Sequence, residues 1–183
     1  MKTFRSRGFT LVELMIVVSI AGILAALATY GVRRYLASAK TSEAKNTVDA
    51  ISRGASAAFE RENTAIEVEA GGGSSTATAH RLCPSVASVV PSAGVPTGTT
   101  YQPRSDSGAD YQTQTWQCLK FSRTEPQYYQ SNYTSAVSIM SAIARGDLDG
   151  DGTSSTFQRD GVVNATSQTL RLATQVTVTS EFE

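Results

Sequence analysis

Between Phe9 and Val32 the chain reads FTLVELMIVVSIAGILAALATYGV, an apolar run broken by a single charge, Glu13. A helix over that stretch spans about 36 Å, enough to cross a hydrocarbon layer ~30 Å thick. A secretory signal peptide is one reading. Its apolar core is usually shorter, however, and no small-x-small cleavage site closes this run before it passes into an amphipathic stretch. A plain single-pass anchor is another. Charge asymmetry does not orient it, because Lys2, Arg5 and Arg7 on one side are answered by Arg33, Arg34 and Lys40 on the other.

Glu13 argues against both. A carboxylate inside an apolar span costs about 2.5 to 3.5 kcal/mol on insertion scales, so it ordinarily has a partner. Gly8 and Phe9 stand four to five positions before it. Cleavage between them would place a new terminal ammonium in the same apolar layer, one turn away, to neutralise this carboxylate or a neighbour's. In a layer of low dielectric such a charge pair sets the axial register of packed helices. The competing reading is a membrane-edge glutamate that snorkels into the headgroups.

The string RGFTLVELMIVVSIAGILAA closely resembles the type IV pilin signature, and the likeness covers roughly residues 1–40. The resemblance implies a short basic leader, Met1 to Gly8, removed by a prepilin peptidase as in the IVa class. It also implies N-methylation of Phe9 and direction of assembly by Glu13; Thr10 and Gly22 fit as well. Many IVa members carry proline where this chain has Tyr30, so the locally melted helix they show in fibres is expected here, if anywhere, between Gly22 and Gly31. By this resemblance the chain is a structural, non-enzymatic subunit. It waits in the bacterial inner membrane and then polymerises with its own copies into an extracellular pilus, served by an assembly platform and ATPases, for motility or adhesion. The alternative within the family is a minor pilin or a pseudopilin of type II secretion. From another class, a membrane-tethered enzyme or binding domain would keep an uncut, unmethylated amino terminus.

Past Val32 the periodicity changes while the helix is expected to continue to about Glu62. Ala37, Ala44, Val48, Ile51, Ala55, Ala58 and Phe59 form one apolar stripe at three- and four-residue steps. Lys40, Glu43, Lys45, Asp49, Arg53, Glu60 and Arg61 lie opposite. Glycines 71–73 make a flexible connector. Beyond it, Ser, Thr, Tyr and Gly dominate, and strands are expected at residues 111–121, 135–144, 155–159 and 170–179, with Val137, Ile139 and Ile143 on one alternating face. A proline-rich loop, residues 90–103, is expected at the surface. The predicted class is α+β: a long amino-terminal helix, transmembrane and then amphipathic, packed on an antiparallel β-sheet headgroup. Its parts are a leader (1–8), an apolar helix (9–32), an amphipathic half (33–63) and a globular remainder (64–183).

Cys83 and Cys118 lack CxxC spacing, and His80 is the chain's one histidine, a poor basis for zinc. In an exported protein a disulfide is the simpler reading, two buried thiols the other. It would tie the post-helix loop to a mid-sheet strand. Asp147, Asp149 and Asp151 alternate in DLDGDG, an oxygen-rich loop suited to structural calcium. Read as an EF-hand, its twelfth position is Gln158, a poor ligand that Asp160 would have to replace; the bland reading is a solvated acidic turn. Arg145-Gly-Asp, the Asn132 and Asn164 acceptor patterns, and the aromatics Phe9, Tyr30 and Tyr35 carry little weight. Sixteen basic and sixteen acidic residues cancel, so nothing draws nucleic acid. No nucleophile–base set or phosphate loop suggests catalysis.

Overall fold

The structure, a computed structural model, describes residues 8–61, 63–64, 78–104 and 110–182. The leader up to Arg7 and the glycine connector lie outside the described residues. Two compact units are distinguished, Met1–Ala39 and Lys40–Glu183. One helix, α1 (Leu11–Glu60), enters both.

In the first unit every large apolar side chain of α1 from Leu11 to Leu36 is at least half exposed. A helix apolar on all sides and covered by nothing among the described residues is suited to meet lipid or other helices. It is long and apolar enough to cross a membrane.

In the second unit the expected stripe is the buried face: Ala44, Val48, Ile51, Ala55, Ala58 and Phe59 are at most 3% exposed. All but Phe59, whose ring meets that of His80, share one core cluster with residues of a five-stranded antiparallel sheet. Two short strands, β1 (Asn63–Thr64) and β2 (Thr78–Ala79), pair with each other. The main sheet has the order β3 (Gln130–Ser135), β4 (Ile139–Gly146), β5 (Ser155–Asn164), β6 (Thr169–Leu172), and β7 (Thr177–Thr179) also pairs with β5. Its core-facing residues include Tyr133, Met140, Ala142, Ala144 and Phe157. Ion pairs join the helix to the rest of this unit: Arg159–Asp49 at 2.7 Å, Lys45–Glu181 at 2.6 Å and Arg123–Glu43 at 3.4 Å. Partly exposed pairs add little stability, but these fix how the helix is turned. Burial pushes the Glu43 carboxyl above its ordinary value, opposed by Arg123 and by the backbone N–H of Tyr128.

Several expectations need correction. Residues 111–121 are not a strand: Gln114–Leu119 is a short helix, α2. Its aromatic and Thr-rich composition reads as β, but Thr115, Trp116 and Leu119 bury one helical face. There Trp116, Tyr111 and Phe121 pack ring to ring, with centroids 5.2 to 5.5 Å apart. Residues 135–144 are not one strand either. Ser135 opposes Met140 across a hairpin whose Ala136 N–H donates to the Ile139 carbonyl at 2.8 Å. Val137 is at the tip, wholly exposed. The Ile139/Ile143 parity therefore marks the face opposite Met140, Ala142 and Ala144, where small side chains admit the helix. The 155–159 strand runs on to Asn164, and 170–179 is two strands rather than one. In the 90–103 loop, Val90 exchanges hydrogen bonds with Ser131 at 3.1 and 2.6 Å, covering the β3 edge. Val90, Pro91, Pro96 and Pro103 are buried.

The disulfide Cys83–Cys118 is formed. It ties the post-helix loop to α2, not to a strand. The approach of α2 to α1 depends on Gly54, where a Cβ would lie 2.3 Å from the Leu119 carbonyl oxygen. Backbone cannot swing aside as a side chain can. Gly54→Ala gains about 1 kcal/mol of helix propensity but incurs overpacking at the upper end of ~1–3 kcal/mol. A net loss of ~2 kcal/mol is expected, a fall in melting temperature of roughly 4–8 °C. Gly31→Ala, with nothing within 4 Å of its Cβ, is the control that should not lower it.

Candidate functional site

The first turn of α1 brings Thr10 and Glu13 together. Phe9 is 79% exposed, and a Cβ on Gly8 would meet nothing within 4 Å among the described residues. Thr10 is the N-cap: its carbonyl accepts the Leu14 N–H at 3.2 Å. Its hydroxyl accepts the Glu13 N–H at 3.3 Å and donates to Glu13 Oε2 at 3.0 Å. The Thr10 N–H donates to the same Oε2 at 3.2 Å. This is a reciprocal capping box, which satisfies donors that a helix start leaves unpaired. Negative charge here also suits the positive end of the helix dipole. Glu13 therefore has a local partner before any amine is considered, and its Oε1 oxygen has no partner among the described residues. Thr10 was legible in the sequence, since T-x-x-E ahead of an apolar run is the capping-box pattern. It enters above only through the family resemblance.

This geometry lies inside the stretch that comparisons single out. Residues 3–29 match the prokaryotic N-terminal methylation motif. The chain carries a prepilin-like signature. It is 55% identical over 47 residues to the type IV major pilin protein PilA of Myxococcus xanthus (strain DK1622), 26% of this chain and 21% of that protein. It is 51% identical over 45 residues to a fimbrial protein of Moraxella nonliquefaciens, 25% of this chain and 29% of that one. The chain thus aligns with less than a third of either relative's length. No solved structure matches it significantly.

The acidic loop is a turn after β4. The carboxylate oxygens of Asp147, Asp149 and Asp151 lie within 4.8 Å of one another, Asp147 buried and the other two exposed. Asp147 accepts the N–H groups of Gly150 at 2.7 Å and Gly152 at 3.0 Å. Those glycines sit at φ 81° and 92°, where other residues are strained. Asp149 accepts the Asp151 N–H at 3.3 Å, and Asp151 that of Thr153 at 2.6 Å. The Asp147 backbone is held in turn, its carbonyl accepting Gly98 N–H at 2.7 Å and its N–H donating to Pro96 at 3.2 Å. Asp160 does not join the cluster. It lies five register steps away along β5 and accepts Ser141 and Gln158. Burial of Asp147 also removes the acid that an Arg-Gly-Asp recognition motif would present.

Proposed function

We propose that this chain is the structural subunit of a bacterial type IV pilus. A prepilin peptidase cuts between Gly8 and Phe9 in the inner membrane, Phe9 is methylated, and the subunit polymerises through α1 into an extracellular fibre serving motility or adhesion. The observation that carries this reading is the capped Glu13 carboxylate, one turn after Phe9, on a helix whose apolar surface is uncovered. A pseudopilin or minor pilin has less support, since the relatives are a major pilin and a fimbrial protein. The role is structural rather than catalytic. In the membrane the helix satisfies its surface with lipid, and in the fibre with other helices, where tight packing rather than hydrophobicity drives association. Mass spectrometry of sheared fibres tests it: a methylated Phe9 terminus is expected, and an intact Met1 terminus in finished fibres would refute it.

The turn of Asp147, Asp149 and Asp151 is proposed to hold calcium as a structural ion. Its hard oxygen donors and pre-turned backbone fit that cation. At tenfold excess over its dissociation constant, calcium bound only to the native state adds ~1.4 kcal/mol. The full-length protein in detergent should melt several degrees higher in millimolar calcium than in chelator, and Asp149→Asn/Asp151→Asn should remove the difference. Equal melting in both would refute calcium binding.

A further inference from the structure

Of the charged residues on α1 and at the end of α2 in the second unit, some are paired and some, Glu60 among them, have no ion partner among the described residues. Glu43, Lys45 and Asp49 have ion partners within the unit, and Lys40 lies 4.3 Å over the Tyr128 ring. Arg53 and Lys120 have none among the described residues. They flank a groove of about 510 Å³ between α1 and α2, floored by Ala50, Gly54, Ala57 and Phe121 and closed by Arg61, which donates to the Cys118 carbonyl at 2.5 Å. Lys120 ends α2 in the left-handed region, φ 51°, its N–H bonded to Gln117 and that of Phe121 to Trp116. That is the position where helices prefer glycine. Keeping a lysine there is a local strain, and such strain points to a use.

We infer that this basic groove receives the acidic turn, Asp147 to Asp151, of a second copy of this chain. The inference rests on the filament reading and specifies a contact within it. Charge complementarity selects the occupant: Asp149 and Asp151 are exposed and have no cation partner among the described residues. Calcium would not cancel the attraction, because three carboxylates outweigh a divalent ion. A groove on one copy and a different surface on the next make a heterologous contact, which repeats without closing unless its rotation forms a ring. Opposed charges of this kind set register and partner choice and weaken as salt rises.

The test uses full-length protein in cells that make fibres. Arg53→Glu/Lys120→Glu and Asp149→Lys/Asp151→Lys should each cut sheared fibre about tenfold or more, with subunit melting in chelator unchanged, and the four changes together should restore it. Lys120→Gly relieves the strain, so it should leave the subunit as stable or more stable while making fibres scarcer at low salt and their yield less dependent on salt. Carbodiimide should link Lys120 to Asp149 or Asp151 in fibres and not in dispersed subunits. Normal fibres from both charge-reversed variants would overturn the contact and leave the filament reading standing. So would loss from the groove variant alone, failure of the fourfold variant to recover, or a Lys120 link to Glu62, Glu67 or Glu69 of its own chain. Absence of fibres from the unaltered chain would overturn the filament reading itself.

Discussion

Fibres are expected to disappear from Glu13→Ala cells, by ~100-fold or more in sheared material, while the subunit still accumulates in the membrane. Alanine removes the carboxylate that an amine would meet and the acceptor that Thr10 uses, and it also removes the insertion penalty of about 2.5 to 3.5 kcal/mol. The subunit should therefore insert at least as well as before and fail only at polymerisation. Two companions divide the roles. Glu13→Gln keeps a side chain able to reach back to the Thr10 N–H but has no charge, and should assemble almost as poorly. Thr10→Val keeps the charge and breaks the cap at Oγ1. Losing a cap costs ~0.5–2 kcal/mol, so a fall of a few-fold up to about 30-fold is expected. Undiminished fibres from Glu13→Ala would end the electrostatic account.

Removing the Cys83–Cys118 bridge is the largest expected perturbation of the headgroup. The cysteines are 35 residues apart, and in the chain-entropy model that closure is worth roughly 3 to 4 kcal/mol. The bridge also anchors α2, which brings Trp116, at 0% exposure, and Leu119, at 1%, to the core. Cys83→Ala/Cys118→Ala should lower the melting temperature by roughly 6–16 °C, read by circular dichroism without reductant. Reductant should destabilise the unaltered protein in the same direction and leave the double variant unmoved. A shift under about 2 °C would mean that packing alone holds α2.

The helix was readable from Phe9 onward because no proline interrupts it and each half carries a helical apolar pattern, all round before Val32 and one stripe after it. The apolar run and the stripe from Ala44 to Phe59 both name what the side chains meet, lipid or helices first and the sheet second. The disulfide was readable from the count of cysteines. What could not be read was the structure around Cys118, because local composition there favours strand. Three buried rings, Tyr111, Trp116 and Phe121, override it only once the chain has folded. The β3–β4 hairpin was missed for a related reason. Ala136, Val137 and Ser138 carry no glycine or proline to mark a turn, and the inward residues Ala142 and Ala144 are too small to stand out beside Ile139 and Ile143. The capping box Thr10-Leu-Val-Glu13 stood in the letters but was not read from them; only the family resemblance pointed to Thr10.

On the proposed filament reading, the uncovered apolar length of α1 also fixes what kind of equilibrium fibre growth is. A molecule with this much oily surface has no aqueous free state, so each addition moves it from one greasy phase to another. Little water is released, and the heat-capacity change, the usual signature of apolar burial, should be close to nil.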